Sequence, residues 1–310
     1  MEAVISAKRK VPVLQALFQQ RYSYLFIMVP FALFTIFVLL PIFASFFLSF
    51  TKYDVIHPWK WVGLENYRNI FLNDMRFRKA MLNTFIYVIT TVPIGICMAV
   101  LVAVAIDQKI RFKNFFKGIF FLPTVTSIVA SSVMWKWLFA GGKYGLINYF
   151  ILMKLGFEPV DWLLSPSLTL PSIMIMSIWA GLGYNVILFL AGLQMIPHSI
   201  YEAAEVDGAG FWQQFFRITL PLLRPTLVFV TAMSCIFSFQ VFEQIYVMAN
   251  VEGKIGGVLD CALTIVPYLY DMGFHKFQMG YACALAYVIF MCVVILTLIN
   301  TKFLKSRVEY

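Results

Sequence analysis

Six stretches of the chain run for about twenty residues or more with almost no charge: 25–50, 81–106, 118–139, 168–193, 226–248 and 277–301. A bilayer core about 30 Å thick needs about 20 apolar residues of helix, so each stretch predicts a membrane-spanning helix. The first is free of charge and reaches about 39 Å at about 1.5 Å per residue, so it tilts or protrudes. The third is interrupted only by Lys136 near its end. Prolines 30, 41, 93, 123 and 171 fall inside these runs. Membrane helices tolerate such prolines. The first run far exceeds the core of a signal peptide, about 7–15 residues, and no Ala-x-Ala site closes it, so it reads as a retained first span.

Between the runs lie loops of about 30 residues at 51–80, 140–167, 194–225 and 249–276. None is long enough to bury a core of its own. The expected architecture is therefore all-α and polytopic. One six-helix membrane domain covers 25–304, between an N-terminal segment 1–24 and a tail 305–310.

Composition agrees. The chain is 61% hydrophobic and 13% charged, with a mean hydropathy of +0.83. A soluble domain is about 45–50% apolar and about 25% charged, so a water-soluble enzyme is excluded. Disorder, which needs low hydrophobicity and high charge, is excluded too. The net charge of +9 comes from residues flanking the apolar runs. That is the membrane pattern, and no compact basic patch with interleaved aromatics points to nucleic acid. Of the five cysteines, all but Cys261 lie inside apolar runs and no Cys-x-x-Cys occurs, so neither disulfides nor zinc are indicated.

Six spans put both ends on one side of the membrane. With the ends inside, the inner segments hold 13 Lys and Arg and the outer loops ten. The 51–80 loop narrows that margin with Lys52, Lys60, Arg68, Arg76, Arg78 and Lys79. The short loop 107–117, with four basic residues and one acid, favours ends inside.

The chemistry of an engine is missing. The nearest approach to a phosphate-cradling loop, Gly141-Gly142-Lys143-Tyr144, lacks its spacing and hydroxyl. There is no His-Glu-x-x-His and no Gly-x-Ser-x-Gly, and His57, His198 and His275 share no helix face. Proton-coupled carriers hold acids or histidines in mid-membrane. Here the only acid in a span is Glu243, placed about 25 Å up the fifth span, near its outer end. No catalytic residue, metal site or cofactor is expected in this chain, and any energy source lies on another.

The 194–225 loop is the most informative. Pro197 can open a short helix with Ser199 as a possible N-cap, and Gly208 and Gly210 break it. From Phe211 to Thr219, Phe211, Trp212, Phe215, Phe216 and Ile218 recur at helical spacing opposite Gln213, Gln214 and Arg217. This predicts an amphipathic helix at the membrane surface, ended by Leu220-Pro221. By itself such a loop is an ordinary interfacial connection.

The residues add more. Glu202-Ala203-Ala204, then Asp207-Gly208, then Ile218-x-Leu220-Pro221 closely resembles the EAA signature of permease subunits of binding-protein-dependent ABC importers, in their sugar-uptake, maltose-type branch. Gly63-Leu-Glu-Asn-Tyr67 through Phe71, Trp137-Leu-Phe139 with Gly145-Leu-Ile-Asn148, and Leu190-Ala-Gly-Leu-Gln-Met-Ile-Pro197 resemble further stretches of that branch. One stretch departs from it: many members read Gly-Gly-Pro after the fifth span, and this chain reads Gly253-Lys-Ile-Gly-Gly257.

The resemblance implies the type I ABC importer permease fold in a bacterial inner (plasma) membrane, with the EAA loop and both termini cytoplasmic. It implies a second homologous permease, two cytoplasmic ATPase subunits that carry ATP and Mg, and an extracytoplasmic solute-binding protein. It also implies that the first short helix couples the ATPase to the spans. Glu202 would pair with a basic group there, Gly208 would allow the turn, and Ala203, Ala204, Asp207, Leu220 and Pro221 complete the motif. The implied function is translocation of a sugar or oligosaccharide. The alternatives are a glycerol-phosphate or other polar-solute permease of the same family, or a stand-alone secondary carrier.

A sugar path needs polar groups for hydroxyls and aromatic faces for C–H surfaces. Trp179, Tyr184, Asn185, Ser238, Gln240, Glu243 and Gln244 are the candidates, with Asn83 and Ser234 beside them. Gln240, near the estimated midplane, is the favoured one. Each has an alternative role as helix–helix glue or interfacial anchor. No Lys or Arg sits mid-span, which favours a neutral sugar, although a second permease could supply a cation.

Overall fold

The computed structural model describes residues 21–108 and 111–304. Expectations for residues 1–20, for Lys109 and for the 305–310 tail lie outside the described residues.

The first span is α1 (Arg21–Phe34), a widened π turn (Thr35–Leu39) and α2 (Leu40–Ser49). The π turn answers Pro41, which has no N–H to give. The Leu40 N–H reaches back five residues to Thr35 O, and the helix continues through the proline. After α2, strands β1 (Thr51–Lys52) and β2 (Lys60–Trp61) pair antiparallel with Thr51 opposite Trp61. Helix α3 (Glu65–Leu72) follows. Its buried Asn66 donates to Ser49 O at 2.8 Å and Thr51 O at 2.9 Å, and Tyr67 donates to Ser49 Oγ at 2.8 Å. The Gly63–Tyr67 motif thus ties the end of the first span to the start of the next.

The second span is α4 (Met75–Asp107), which starts six residues before the predicted 81. Asp74 caps it by accepting the Phe77 N–H at 2.9 Å. The early start puts Arg76, Arg78 and Lys79 on the helix instead of in a loop.

The predicted third span, 118–139, is not one straight helix. It is α5 (Lys113–Val125) and α6 (Ile128–Leu138), bent by 98°. Pro123 cannot continue the ladder, and Thr126 and Ser127 are extended, with ψ of 137° and 131°. Among the described residues, five helices are long and apolar enough to cross a membrane, or six with the bent pair as one span. Asn148 holds the following loop. It is fully buried, its amide donates to Ala140 O, Gly142 O and Val160 O, and its oxygen accepts from Val160 N–H and Trp162 Nε1.

The fourth span is α7 (Thr169–Gln194), which packs along both α4 and α5. At Gly183 a side chain is excluded: a Cβ would lie 2.2 Å from Phe120 O. Helices α8 (His198–Val206) and α9 (Phe211–Gln214) follow. The fifth span runs as one helical stretch, Arg224–Met248, interrupted locally at 240–242 between α10 (Arg224–Phe239) and α11 (Glu243–Met248). The Gln240 N–H closes α10 on Ile236 O and Phe237 O, and Phe242, with φ −135° and ψ −62°, is non-helical before α11 begins.

Strands β3 (Asn250–Val251) and β4 (Lys254–Ile255) form a hairpin whose two turn residues, Glu252 and Gly253, both have positive φ, as a tight twisted turn requires. This is the shape of the segment that departs from the family pattern. Helix α12 (Ile265–Tyr270), a π turn (Asp271–His275) and α13 (Met279–Leu304) complete the chain. Gly280 lets α13 meet β1 closely, since a Cβ would lie 2.0 Å from Thr51 O.

Candidate functional site

The described residues hold two regions of functional interest, one at an end of the bundle and one within it. The first is the 194–225 module. Helix α8 begins at His198 after Pro197, and Ser199 does not cap it. It ends at Asp207, whose N–H reaches Ala203 O at 3.0 Å, and Gly208 then takes φ +78°. That left-handed value favours glycine. Glu202, Ala203, Glu205, Val206, Asp207 and Gly208 are all exposed, and Val206 is 88% exposed.

Glu202 makes one local contact, to His198 Nδ1 at 3.2 Å. Tyr201 and Thr219 share a hydrogen bond of 3.0 Å that fixes the first helix against the second. The second helix does not stop at Leu220-Pro221 as expected. Phe215–Thr219 is a π turn with the Leu220 N–H on Phe215 O, and the helix runs on through Pro221 to Leu222. This is the same accommodation of proline as in the first span. Phe215 and Thr219 are buried, while Phe211, Trp212 and Phe216 are exposed.

The second region is a half-open pocket of about 400 Å³ among the spans, with Tyr184 and Phe237 exposed at its walls. Helix α4 contributes Tyr87, Thr91, Val92 and Gly95, and α7 contributes Ser177, Gly181, Tyr184 and Asn185. From the fifth span come Ser234, Phe237, Ser238, Val241 and Gln244, and α6 adds Ile128. The structure therefore brings Tyr184, Asn185, Ser234, Ser238 and Gln244 together.

The remaining candidates lie outside the cavity lining. Gln240 is exposed beyond the end of α10, because the helix stops one residue before it. Glu243 is exposed at the start of α11. Trp179 lies against Trp135 with ring centroids 5.6 Å apart and planes tilted by 58°. Asn83 is buried as glue, donating to Leu263 O at 2.9 Å and Asp260 O at 3.1 Å. Tyr87, Thr91 and Ser177 were not among the candidates. Tyr87 and Thr91 lie one helical turn apart in a span, and that spacing was a readable signal.

At the end opposite α8, Arg76 donates to both carboxylate oxygens of Asp260, at 2.8 and 2.9 Å, and to Asp271 at 2.7 Å. Tyr268 and Tyr281 both donate to Asp74. Burial pushes the Asp271 carboxyl up, but bonds from Arg76 and His275 outweigh it and hold the group below the usual carboxylate range. These contacts clamp the start of the second span to the segment between the fifth and sixth.

The sequence pattern of the family described as binding-protein-dependent transport system inner membrane component matches residues 70–309. The probable ABC transporter permease protein YesP of Bacillus subtilis (strain 168) is 37% identical over 278 residues, covering 89% of this chain and 88% of its own. The arabinooligosaccharides transport system permease protein AraP of the same organism is 36% identical over 279 residues, covering 88% and 85%. In fold, the chain matches a bacterial ABC transporter involved in the import of the acidic polysaccharide alginate, with a TM-score of 0.82 over 96% of this chain and 99% of that one. At 23% identity that match speaks to fold alone, and the fold is the all-α permease architecture expected from the sequence.

Proposed function

We infer the function from one premise: the chain belongs to the family of binding-protein-dependent transport system inner membrane components. It is the membrane-spanning permease subunit of an ABC importer in a bacterial inner membrane, with both termini and the 194–225 module on the cytoplasmic side. With a second, homologous permease it forms the path for a neutral sugar or oligosaccharide. An extracytoplasmic binding protein delivers the solute, and two ATPase subunits that hold ATP and Mg drive it. The sugar class is supported by the likeness to the arabinooligosaccharide permease and by the hydroxyl- and amide-lined cavity, which has no charged residue in its lining.

One observation carries the reading. Helix α8 stands exposed with an acidic face, is tied to the neighbouring helical run by the Tyr201–Thr219 hydrogen bond, and turns at a left-handed glycine. A helix so presented suits docking into another protein and passing its movement on to the fifth span. The test is uptake of radiolabelled arabinotriose, lactose and raffinose by proteoliposomes holding the whole complex. Uptake of at least one, dependent on ATP, on the ATPase subunits and on the binding protein, is expected. Uptake by this chain without the ATPase subunits would contradict the reading.

A further inference from the structure

A second pocket lies between α5 and α7, at the end of α7 that leads into α8. It is a half-open groove of about 390 Å³. The two helices approach closely at Gly183, where a Cβ would lie 2.2 Å from Phe120 O. Beyond that contact Gly183, Ile187, Leu190 and Gln194, at helical spacing, make one stripe of α7 along the groove. At about 1.5 Å per residue the stripe is about 16 Å long. Val186 and Leu190 are buried, 1% and 6% exposed, while Phe121 and Ile187 stay exposed at its sides. Gly118 and Ala191 keep it wide, and a Cβ at Gly118 would meet nothing within 4 Å.

The only polar side chains in this lining are those of Lys117 and Gln194. The lining runs from Gly183 back to Lys117 on α5 and on to Gln194, the last residue of α7, so both sit at the end away from Gly183. Charge there is one-sided. Lys113 engages Asp107 at 3.3 Å, and among the described residues Lys117 makes no salt bridge. Arg111 is exposed beside them, and so are the rings of Phe112, Phe115 and Phe116. Basic and aromatic residues mixed in this way at the start of a span belong at headgroup depth, and basic pockets between spans attract anionic headgroups.

The groove thus has an apolar body that opens sideways from a membrane span and a cationic end at headgroup level. We propose that it binds one anionic phospholipid of the phosphatidylglycerol type, with an acyl chain along α7 and the phosphodiester on Lys117. The headgroup follows from the polar end. Phosphatidylethanolamine would bring a second cation to Lys117, whereas a glycerol headgroup offers hydroxyls to the Gln194 amide, which both donates and accepts. The site stands at the root of the 194–225 module, since α8 begins at His198. It rests on the permease reading only for its place on the cytoplasmic side.

The test uses the whole complex in phosphatidylcholine vesicles doped with a phosphatidylglycerol that carries a photoactivatable diazirine in one acyl chain. Labelled peptides are mapped, and unlabelled phosphatidylglycerol and phosphatidylethanolamine are compared as competitors. The site predicts labelling of α5 and α7 around Phe121 and Ile187, with phosphatidylglycerol the better competitor by about fivefold. K117Q should lose that preference. R111Q, which removes a charge of the same flank that does not line the groove, should keep it. G118L and A191L fill the groove and should abolish labelling of these peptides with no fall in melting temperature. Should one of these two fail to fold, the other decides.

No label on α5 and α7 in the wild type overturns the site and would mean that protein, such as the second permease, covers the groove. Equal competition by the two lipids overturns it too, leaving the groove filled by bulk lipid. So does an equal loss of preference in K117Q and R111Q, the mark of a diffuse surface charge, or labelling that survives both groove-filling variants. Labelling is read without solute or ATP, so a site that fails leaves the uptake test of the permease reading untouched, and absent uptake leaves the labelling result untouched.

Discussion

Arg76 sits one residue into the second-span helix and holds two carboxylates from the far side of the fifth span, Asp260 and Asp271. Charge-assisted hydrogen bonds contribute about 1.5–3 kcal/mol, and a side chain one-third exposed belongs at the lower end. Arg76→Ala should therefore lower the stability of the purified protein by about 1.5 kcal/mol, read as a fall of its melting temperature. The pH dependence has a definite sign. Asp271 is held below its ordinary value in the folded chain. Its contribution is present above the unfolded value, near about 3.9, and is lost as the pH falls through the lower folded one. The gap between wild type and Arg76→Ala should persist from pH 7 to pH 5 and close below about pH 4. A gap that already closes between pH 7 and pH 5 would show that the clamp does not rest on the Asp271 carboxylate. At this scale the sequence was partly readable. Asn185, Ser238 and Gln244 are legible as polar groups in spans that a sugar path needs for hydroxyls, and they line the pocket. Gln240 reads as a path residue only by its height in an unbroken helix, and the helix ends at Phe239.

Helices α5 and α7 meet at Gly183, where backbone and the Thr124 hydroxyl leave no room for a methyl group. Gly183→Ala should cost about 1–3 kcal/mol through overpacking. Gly118→Ala, on the same bent span with open space around it, should be neutral or slightly stabilising. Melting of the two purified variants decides this, and equal melting would mean that the contact of α5 with α7 is looser than described. The elements themselves were mostly legible, because a stretch of about twenty apolar residues has few alternatives to a membrane helix. The breaks were not. Prolines 30, 41, 93, 123 and 171 all lie in predicted spans, yet only near Pro123 does the chain bend by 98°. Pro41 and Pro221 are absorbed by π turns that begin six residues earlier, at Thr35 and Phe215. Whether a proline bends a helix depends on the turn before it and on what packs beside it, and neither can be read from proline alone.

For the molecule as a whole, the narrow charge margin between the two sides now has a physical cause. Of the six basic residues in 51–80, Arg76 is spent on carboxylates, Arg78 on the carbonyls of Phe71 and Leu72, and Lys79 on Leu259 O. They hold the fold together, so counting them as orientation signals blurred the count. The central claim is that α8 couples this permease to ATPase subunits on its exposed face. The Glu202–His198 contact is an exposed pair worth at most about 0.5 kcal/mol, so Glu202→Ala should leave the permease intact. Truncating an acid buried at an interface against a basic partner costs about 2–5 kcal/mol. At Gly208, φ +78° makes valine a strained replacement. The most direct measurement is ATP hydrolysis stimulated by loaded binding protein, in vesicles holding the whole complex with wild-type, Glu202→Ala or Gly208→Val permease, with retained ATPase quantified in the same vesicles. The account predicts that both variants insert normally, retain less ATPase and lose at least about tenfold of the stimulated rate. Normal retention and normal stimulation in both variants would contradict it.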